Sequence, residues 1–513
     1  MLDTLSIANT ASPTNLRRWL IIFTIMLVAI LEVLDSTIVN VALPAMMPAL
    51  GADQSTITWV LTSYVVASAM MLPLTGFLSM RIGQKRLLFI NISGFLISSF
   101  FSGLSTSLEM IVVFRFFQGA FGALLIPLSQ AILRETFPPR EQGKAMAIWG
   151  IGIMAAPVFG PTLGGFITEH SSWRWVFYIN VPICIMGILL TLFTIPKSSP
   201  TKQKIDWIGL ALMFIGIGAL QIFLDQGNEK NWFDSNFILF LSVISLFCLG
   251  FFLIRSRTHR YPVIQLRIFK DRNFTLSTIT LAIFAGSVFG LITLQPIMLE
   301  TLFGYPAILA GKTMAPLGIT SAIAMLISSQ LMTRMKVKIL LLIAIVFCFA
   351  GAWIFAHLSL QANQTNFIIA NSILGFGMGL FMVPLSTYSL FTLHKKDITE
   401  GAGLFSYGRM LGTSIGISLL STLLSRVTQL NWTELSTRLA ASSQPLHAWL
   451  RDQHLTLNNP KTTELLGHQL LQQSNMLAFN DAYFAVACTF VILIPIVLGM
   501  KSISIGNHSM MGH

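Results

Sequence analysis

The stretch RWLIIFTIMLVAILEVLDSTIVNVALP, from Arg18 to Pro44, decides the fold class of this chain. It is long and apolar enough to cross the hydrocarbon core of a bilayer, which is about 30 Å thick. Two acids, Glu32 and Asp35, interrupt it three residues apart and therefore share one helical face. A carboxyl group inside a membrane helix is costly unless it has a partner or a role, so the pair indicates a proton or cation site.

The composition extends this reading to the whole chain. Of its 513 residues, 54% are hydrophobic and only 10% are charged, against about 25% charged in a soluble globular protein. Apolar runs of spanning length recur from end to end, which predicts an all-α membrane protein with fourteen transmembrane helices. The expected spans are approximately 19–41, 56–78, 87–106, 108–132, 145–167, 175–195, 207–224, 236–254, 274–298, 307–332, 337–357, 366–392, 402–424 and 478–500.

The net charge of +12 is distributed by loop rather than clustered for nucleic acid. Of 32 Lys and Arg residues, 23 lie in the termini and the even-numbered loops, whereas the six short odd-numbered loops hold only Arg174 and Lys230. Basic loops stay on the cytoplasmic side, so both termini are predicted to be cytoplasmic. Three bases fall inside spans. Arg115 needs an internal partner, whereas Lys312 and Arg409 are expected to extend toward the membrane surface.

Familiar catalytic and metal-binding patterns are missing from the sequence. The four cysteines have no metal or redox spacing, and the chain contains no GxxxxGK[ST], HExxH or GxSxG motif. We therefore expect no metal, no catalytic residues and no cofactor, and an ion gradient as the energy source. The first apolar stretch is expected to remain as the first helix rather than to be removed as a signal peptide.

An internal repeat relates the two halves of the chain. A shift of 257 residues superposes Gly122 on Gly379 and the tripeptide Pro127 to Ser129 on Pro384 to Ser386. The next helix of each half carries small residues at four-residue intervals, which lets backbones approach closely on one face. These residues are Gly152, Ala156, Gly160 and Gly164 in the first half, and Gly408, Gly412 and Gly416 in the second. The alternative is that Gly and Pro simply abound in membrane helices.

The repeat predicts the domain organisation. Residues 1–200 form an N-terminal six-helix bundle, 201–272 hold two inserted helices and a basic cytoplasmic linker, and 273–513 form a C-terminal six-helix bundle with a long periplasmic loop at 425–477. Parallel repeats with the substrate path at their interface are typical of secondary transporters.

Three charged residues are the candidates for proton coupling. A carboxyl group in a low-dielectric site, such as Asp35, can bind and release a proton as its surroundings change, although a structural acid paired with a neighbouring helix is the alternative. Glu32 fits either role equally. Arg115 cannot lose its proton, so it either stabilises an ionised carboxylate in one conformation or forms a permanent ion pair that fixes helix packing.

Other polar and aromatic residues are candidates for the substrate path. These are Trp59, Tyr64 and Gln118, which the sequence does not separate from core residues, and Asp225 with Gln221 on its face, for which a solvated helix end is the alternative. The predicted cytoplasmic loop from Gly76 to Leu88 contains Arg81, Lys85 and Arg86. Its glycines, Gly76 and Gly83, are expected to allow a tight reversal.

Motifs along nearly every helix resemble those of one family. They include LDSTIVNVALP (Leu34 to Pro44), WVLTSYVVASAMMLPLTGFL (Trp59 to Leu78), RFFQG (Arg115 to Gly119), APVFGPTLGG (Ala156 to Gly165), WRWVFYINVP (Trp173 to Pro182), IDWIGLALMFIGIGALQIFLDQG (Ile205 to Gly227) and GRMLGTSIG (Gly408 to Gly416). On these motifs the chain resembles the EmrB-like, fourteen-helix drug:proton antiporters of the major facilitator superfamily. The resemblance implies the major facilitator fold, with two six-helix bundles plus two inserted helices.

The resemblance also implies roles for particular residues. Asp35 matches the first-helix acid of the family, and Arg115 matches the fourth-helix arginine assigned to proton coupling. The antiporter motif of helix five corresponds to Ala156–Gly165, with Pro157, Gly160, Pro161, Gly164 and Gly165. The chain departs from the family at Met80, where many members have an aspartate, which puts the usual cytoplasmic charge lock in doubt. Lys312 is a second departure, with a possible effect on substrate charge preference.

The function implied is proton-coupled export of hydrophobic drugs and toxic compounds across the bacterial inner membrane. The expected partners are a periplasmic, EmrA-like adaptor and an outer-membrane channel. The polar loop 425–477 is long enough to reach an adaptor, or is an insertion without a partner. The alternatives are a dedicated exporter of one metabolite, such as a siderophore or an antibiotic, and, in another class, a membrane-embedded enzyme or receptor.

Overall fold

The computed structural model describes residues 15–438, except 197, 199 and 201–203, together with 446, 450, 451 and 460–501. Within these residues the chain is helical and contains no β-strand. Thirteen helices are long and apolar enough to cross a membrane, and the 32-residue helix Pro139–His170 completes a set of fourteen. In chain order, α1 to α14 are Asn15–Leu50, Trp59–Ile82, Gln84–Gly103, Leu108–Thr136, Pro139–His170, Trp175–Thr194, Trp207–Gln226, Asn236–Thr258, Arg272–Thr301, Ala307–Leu331, Val337–Ala356, Gln364–Phe391, Ile398–Arg438 and Pro460–Gly499.

Each of the fourteen expected spans coincides with one helix, but two helices continue far beyond their expected spans. Helix α13 runs on to Arg438, and α14 already begins at Pro460. The Thr428 hydroxyl donates to Asn475 Oδ1 at 3.2 Å, which pairs the two extensions. The prediction of a loop over the whole of 425–477 is therefore wrong for 425–438 and 460–477, because hydropathy detects where the membrane ends and not where a helix ends. Most of 439–459 lies outside the described residues.

Helix packing follows the internal repeat. Helix α5 packs along α1, and α13 packs along α9 in the same way. Helix α4 contacts α2 and α3, whereas α12 contacts α10 and α11. These are the helix pairs expected from the 257-residue shift, so the two six-helix bundles have the same internal arrangement.

The glycines spaced four residues apart on α5 and α13 allow these helices to pack closely against α1 and α9. A Cβ atom at Gly160 would overlap Thr37 of α1, and one at Gly164 would lie 2.9 Å from the Ile38 carbonyl oxygen. In the second bundle, a Cβ atom at Gly412 would overlap the Ala282 backbone of α9. The predicted small-residue faces are thus the surfaces on which α5 and α13 approach their partners.

The inserted helices α7 and α8 are joined by an ion pair outside their spans. Asp206 caps α7 by accepting from the Gly209 N–H at 3.0 Å, and it also binds Arg255 of α8 at 2.8 Å. Burial disfavours the Asp206 charge, but the hydrogen bonds from Arg255 and Gly209 outweigh burial and hold the pKa of this carboxyl below its usual value. The ionised carboxylate therefore fixes the start of α7 against the end of α8.

The two bundles meet on the side where α1 begins, which the charge distribution predicts to be cytoplasmic. There Gly403 of α13 lies against Thr75 of α2, so closely that a Cβ would come within 2.8 Å of the Leu72 carbonyl oxygen. The Arg134 guanidinium of α4 donates to the Thr387 carbonyl of α12 at 3.2 Å. The bundle interface is thus closed at this end of the molecule.

The segment predicted as a loop after the second span is mostly helical. Gly76 lies inside α2, where a Cβ would overlap Glu400 of α13, so its role is close packing between bundles and not chain reversal. Gly83 alone makes the reversal between α2 and α3, at φ +89°. The Lys85 ammonium group donates to the Leu192 carbonyl near the end of α6 at 2.6 Å, whereas the Arg81 and Arg86 side chains are exposed.

Candidate functional site

Asp35 of α1 is fully buried and bonded on both carboxylate oxygens. Arg115 Nη1 of α4 lies 2.6 Å from Oδ2. Oδ1 accepts two amide hydrogen bonds, from Gln118 Nε2 at 2.8 Å and from Asn180 Nδ2 at 2.7 Å. Among the described residues, three donors and no acceptor face this carboxyl group, an arrangement that favours its ionised form, because the protonated acid would need an acceptor.

Arg115 is enclosed by partners of several kinds. Besides Asp35, its guanidinium donates to Gln118 Oε1 at 2.9 Å and to the Val60 carbonyl of α2 at 3.3 Å. The Tyr64 ring lies 4.3 Å from the guanidinium carbon, in position for a cation–π contact. The cation thus keeps three kinds of partner if the carboxylate becomes neutral.

Helical spacing and one glycine bring these groups together. Arg115 and Gln118 lie three residues apart and so share a face of α4. Gly119 follows on the same side, where a Cβ would overlap the Tyr64 backbone of α2. The Ser68 hydroxyl of α2 donates to the Gly119 carbonyl at 3.0 Å. Close contact of α2 and α4 therefore places the Tyr64 ring over Arg115.

Sequence reasoning missed Asn180 as a site residue. It is buried in α6, bonded to Asp35 and also donating to the Ser99 hydroxyl of α3 at 3.1 Å. Ser99 in turn donates to the Phe177 carbonyl at 2.9 Å. The available signal was an amide side chain at the start of an apolar span, inside the segment Trp173 to Pro182.

Glu32 lies at the junction of the two bundles. It is half-buried on α1, and it interacts electrostatically with Asp35 and with Arg409 of α13. Tyr64 also interacts electrostatically with both Glu32 and Asp35. Within the described residues no ion pair forms between Glu32 and Arg409 within 4.0 Å. Arg409 lies three turns into α13 and interacts with Glu32 of α1, which favours an internal position over the predicted one at the membrane surface.

The other predicted path residues occupy separate places. Gln221 of α7 is buried and donates to the Ser414 hydroxyl of α13 at 2.8 Å. Asp225 accepts a short hydrogen bond from the Thr62 hydroxyl of α2. Helix α7 thus contacts both bundles at polar side chains. Trp59 lies at the start of α2, away from the Asp35 carboxylate, on the wall of a crevice described below.

The helix-five motif packs against α1 just after Asp35, where Gly160 lies against Thr37 and Gly164 against Ile38. Pro157, Pro161 and Gly165 all lie within the continuous helix α5. Lys312 is exposed near the start of α10. In the described part of the chain no group of three or more His, Cys, Asp or Glu residues could hold a metal ion.

The site therefore holds one buried carboxylate, and a proton bound to Asp35 would neutralise it. Protonating Asp35 would remove the charge that Arg115 pairs with, and the guanidinium would rely on Gln118, Val60 and Tyr64. Asp35 lies on α1 and Asn180 on α6, while Arg115 and its other partners lie on α2 and α4. A proton on Asp35 would therefore change the contacts between four helices of one bundle.

Comparison with known families gives matches over most of the chain. The model of the Major Facilitator Superfamily matches residues 25–417. The fatty acid resistance protein FarB of Neisseria gonorrhoeae is 34% identical over 480 residues, covering 92% of this chain and 94% of FarB. The multidrug export protein EmrB of Escherichia coli K12 is 33% identical over 487 residues, covering 93% of this chain and 94% of EmrB.

Solved structures agree at the level of the fold. The human organic anion transporter MFSD10 superposes with a TM-score of 0.62 at 12% identity, covering 94% of this chain and 99% of that chain. The proton:xylose symporter XylE superposes with a TM-score of 0.62 at 15% identity, covering 94% of this chain and 96% of that chain.

Proposed function

The chain belongs to the Major Facilitator Superfamily, and from this we propose that it is a proton-coupled antiporter that exports hydrophobic drugs and other toxic compounds. The relatives that support this are named a multidrug export protein and a fatty acid resistance protein. The proposal places the pump in a bacterial inner membrane with both termini in the cytoplasm, driven by the proton gradient and without a cofactor.

One observation carries the proton coupling: a fully buried carboxylate, Asp35, is paired with an arginine inside a membrane helix bundle. Its charge is held by one cation and two amides. A buried ion pair adds little net stability, because desolvation costs about as much as the attraction returns. Because the net stabilisation by this ion pair is small, a proton or a bound substrate can shift the preferred conformation.

In the proposed cycle, Asp35 and Glu32 play different parts. Glu32 is partly exposed where the bundles meet, so it exchanges protons with water in the central path. Asp35, one helical turn away, receives the proton and releases Arg115. Each proton that moves inward through 100 mV supplies about 2.3 kcal/mol, enough to reverse a conformational preference of that size.

The test measures proton movement directly. Purified protein is placed in liposomes that contain a pH-sensitive dye, and a hydrophobic drug is added. We expect drug-evoked proton flux in the wild type, none in Asp35→Asn, and partial flux in Asp35→Glu, which keeps a titratable group. Size-exclusion profiles of the three proteins check that the variants are folded.

Each other result has a definite meaning. Equal flux in the wild type and Asp35→Asn would remove Asp35 as the proton carrier. No flux with any drug of a broad panel, but flux with a single metabolite, would support the dedicated exporter instead. Turnover of a compound without transport would favour the membrane-embedded enzyme.

We further propose that the pump works in a tripartite system with a periplasmic, EmrA-like adaptor and an outer-membrane channel. The feature that supports this is the helical hairpin formed by the ends of α13 and α14, which continues beyond the membrane on the side opposite to the predicted cytoplasmic one. A rigid projection offers a partner a defined surface at a lower entropic cost than a flexible loop.

A further inference from the structure

A crevice of about 420 Å³ opens on the membrane face of the first bundle, outside the Asp35 site. Helices α2 and α4 form its walls, and Ile222 of the inserted helix α7 closes one side. Trp59 is the first residue of α2, so the crevice lies in the half of the membrane opposite to the predicted cytoplasmic side. Its rim is open, with Val113 and Phe117 each about half exposed.

The crevice is lined by aromatic and aliphatic groups with one exception. Trp59, Phe116 and Phe117 supply three ring systems on two adjacent helices. Ser63 is the exception: its side chain is 6% exposed, and its hydroxyl has no hydrogen-bond partner within the described residues. A buried hydroxyl without a partner is costly, which indicates that an occupant completes its hydrogen bonding.

An acid lies one helical turn beyond the crevice on α7. Asp225 follows the lining residue Ile222 by three positions, so the two share a face of the helix. Its carboxylate accepts a hydrogen bond from the Thr62 hydroxyl of α2, next to Ser63 of the crevice, and the residue is exposed. Glu229 interacts electrostatically with Asp225, whereas the neighbouring cation, Lys230, is directed toward the Phe237 ring of α8 at 5.9 Å. The charge one turn beyond the crevice is therefore negative, while the crevice itself is aromatic.

We propose that this crevice binds a lipophilic aromatic cation, with its rings against Trp59 and Phe116 and its charge beside Asp225. Aromatic faces attract cations, and a carboxylate at the edge of a low-dielectric site strengthens the attraction. An anionic or uncharged compound gains no such contact. The proposal names lipophilic cations as one substrate class of the exporter, and to that extent it rests on the proposed function.

The crevice and the Asp35 site lie on different faces of the same two helices, α2 and α4. Trp59 precedes Val60, and Phe116 follows Arg115, so each pair of neighbours divides between the two sites. Ser63 likewise precedes Tyr64, whose ring covers the Arg115 guanidinium. A bound cation that separates α2 from α4 would therefore act on the helices that hold the Asp35 ion pair.

The test measures equilibrium binding of tetraphenylphosphonium to the full-length protein in phosphatidylcholine nanodiscs, with uncharged triphenylphosphine oxide as the comparison. Val113→Trp fills the crevice from its exposed rim, and Asp225→Asn removes the charge. Val243→Trp is the matched control, because Val243 is 43% exposed on the membrane face of α8 and lies outside the crevice.

We expect Val113→Trp to weaken tetraphenylphosphonium binding at least tenfold and Val243→Trp to leave it unchanged. Asp225→Asn should weaken binding of the cation about tenfold and that of the uncharged compound less than twofold. Thermal unfolding of each variant checks its fold. Unchanged cation binding in Val113→Trp overturns the proposal, as does equal weakening of both compounds in Asp225→Asn. Loss of a spin-labelled phosphatidylcholine alone in Val113→Trp would assign the crevice to lipid and also overturn it.

The results can contradict the proposed transport function and the proposed crevice site independently of each other. If the binding pattern holds but tetraphenylphosphonium evokes no proton flux, the site stands and antiport of this compound does not. If Asp35-dependent flux persists while Val113→Trp binds the cation normally, the transporter stands and the crevice site fails.

Discussion

At the scale of single residues, the internal repeat is not symmetric in its chemistry. The 257-residue shift that superposes α4 on α12 places Arg115 on Ser372 and Gln118 on Gly375. Helix α12 therefore packs in its bundle as α4 does in the first, but it has no counterpart of the Arg115 guanidinium. The proposed proton coupling through Asp35 therefore involves the first bundle, whereas the second bundle contributes Arg409, which interacts electrostatically with Glu32.

The Asp35 and Arg115 side chains should show strong non-additivity in stability. We expect Arg115→Ala to lower the free energy of unfolding by about 3–5 kcal/mol, because it leaves the Asp35 carboxylate buried without its cation. The double variant Asp35→Asn with Arg115→Ala should be more stable than Arg115→Ala alone, because neither charge remains. Thermal unfolding in detergent measures both differences. A double variant as unstable as the sum of the two single variants would contradict a direct ion pair.

At the scale of helices, the glycine stripe of α13 predicts a graded effect of one methyl group. Gly412→Ala should destabilise the protein by about 1–3 kcal/mol, because the new Cβ overlaps the Ala282 backbone of α9. Gly250 of α8 is the matched control, since a Cβ there meets no atom within 4 Å. Gly250→Ala should be neutral, or stabilising by up to about 1 kcal/mol through helix propensity. Equal unfolding temperatures for the two variants would show that the stripe does not set the α9–α13 distance.

The hairpin formed by the ends of α13 and α14 predicts a separation of partner binding from transport. Asn431 Nδ2 lies 3.5 Å from the Ser474 carbonyl, so a short Gly-Ser linker can replace residues 432–473 without moving the membrane helices. We expect this variant to lose binding to an EmrA-like adaptor and to keep drug-evoked proton flux in liposomes. Pull-down with the purified adaptor measures the first, and the dye assay measures the second.

Gly467→Ala serves as the control for the hairpin, because a Cβ at Gly467 meets no atom of the described residues within 4 Å. Gly467→Ala should keep both adaptor binding and drug-evoked proton flux. Loss of flux together with adaptor binding in the shortened variant would instead assign the hairpin a role in folding.

At the scale of the whole molecule, glycines and one buried acid contribute to the contact between the bundles. Glu400 lies in the first turn of α13, is 2% exposed, and accepts from the Gln265 N–H of the linker before α9 at 2.5 Å. Asp397, the residue immediately before α13, binds Arg267 of the same linker at 3.0 Å. The second bundle thus carries two acids at the start of α13, and one of them, Glu400, lies against Gly76 of α2.

This interface predicts that a single methyl group can bias the conformation. Gly76→Ala would overlap Glu400, so we expect it to separate the bundles on the predicted cytoplasmic side. Gly143→Ala is the matched control: a Cβ there lies 3.8 Å from Met332 and Ser329, an ordinary contact in the same interface. Spin labels at the exposed Arg86 and Lys336, in a background without the four cysteines, report the separation. A distance distribution in Gly76→Ala identical to that of the wild type would contradict the proposed closure contact.

The sequence by itself determined the fold class, the fourteen helices, the repeat and the two charged candidates Asp35 and Arg115, whose pairing the structure decided. Hydropathy and helical spacing are local properties, and a buried charge must have a partner somewhere in the membrane. Only the tertiary structure decided that Asn180 completes the carboxylate site, that Arg409 faces Glu32, that Gly76 packs against Glu400, and that α13 and α14 continue beyond the membrane. Each of these depends on which helices are neighbours in space, or on where a polar helix ends, and neither is encoded in the period of a single segment.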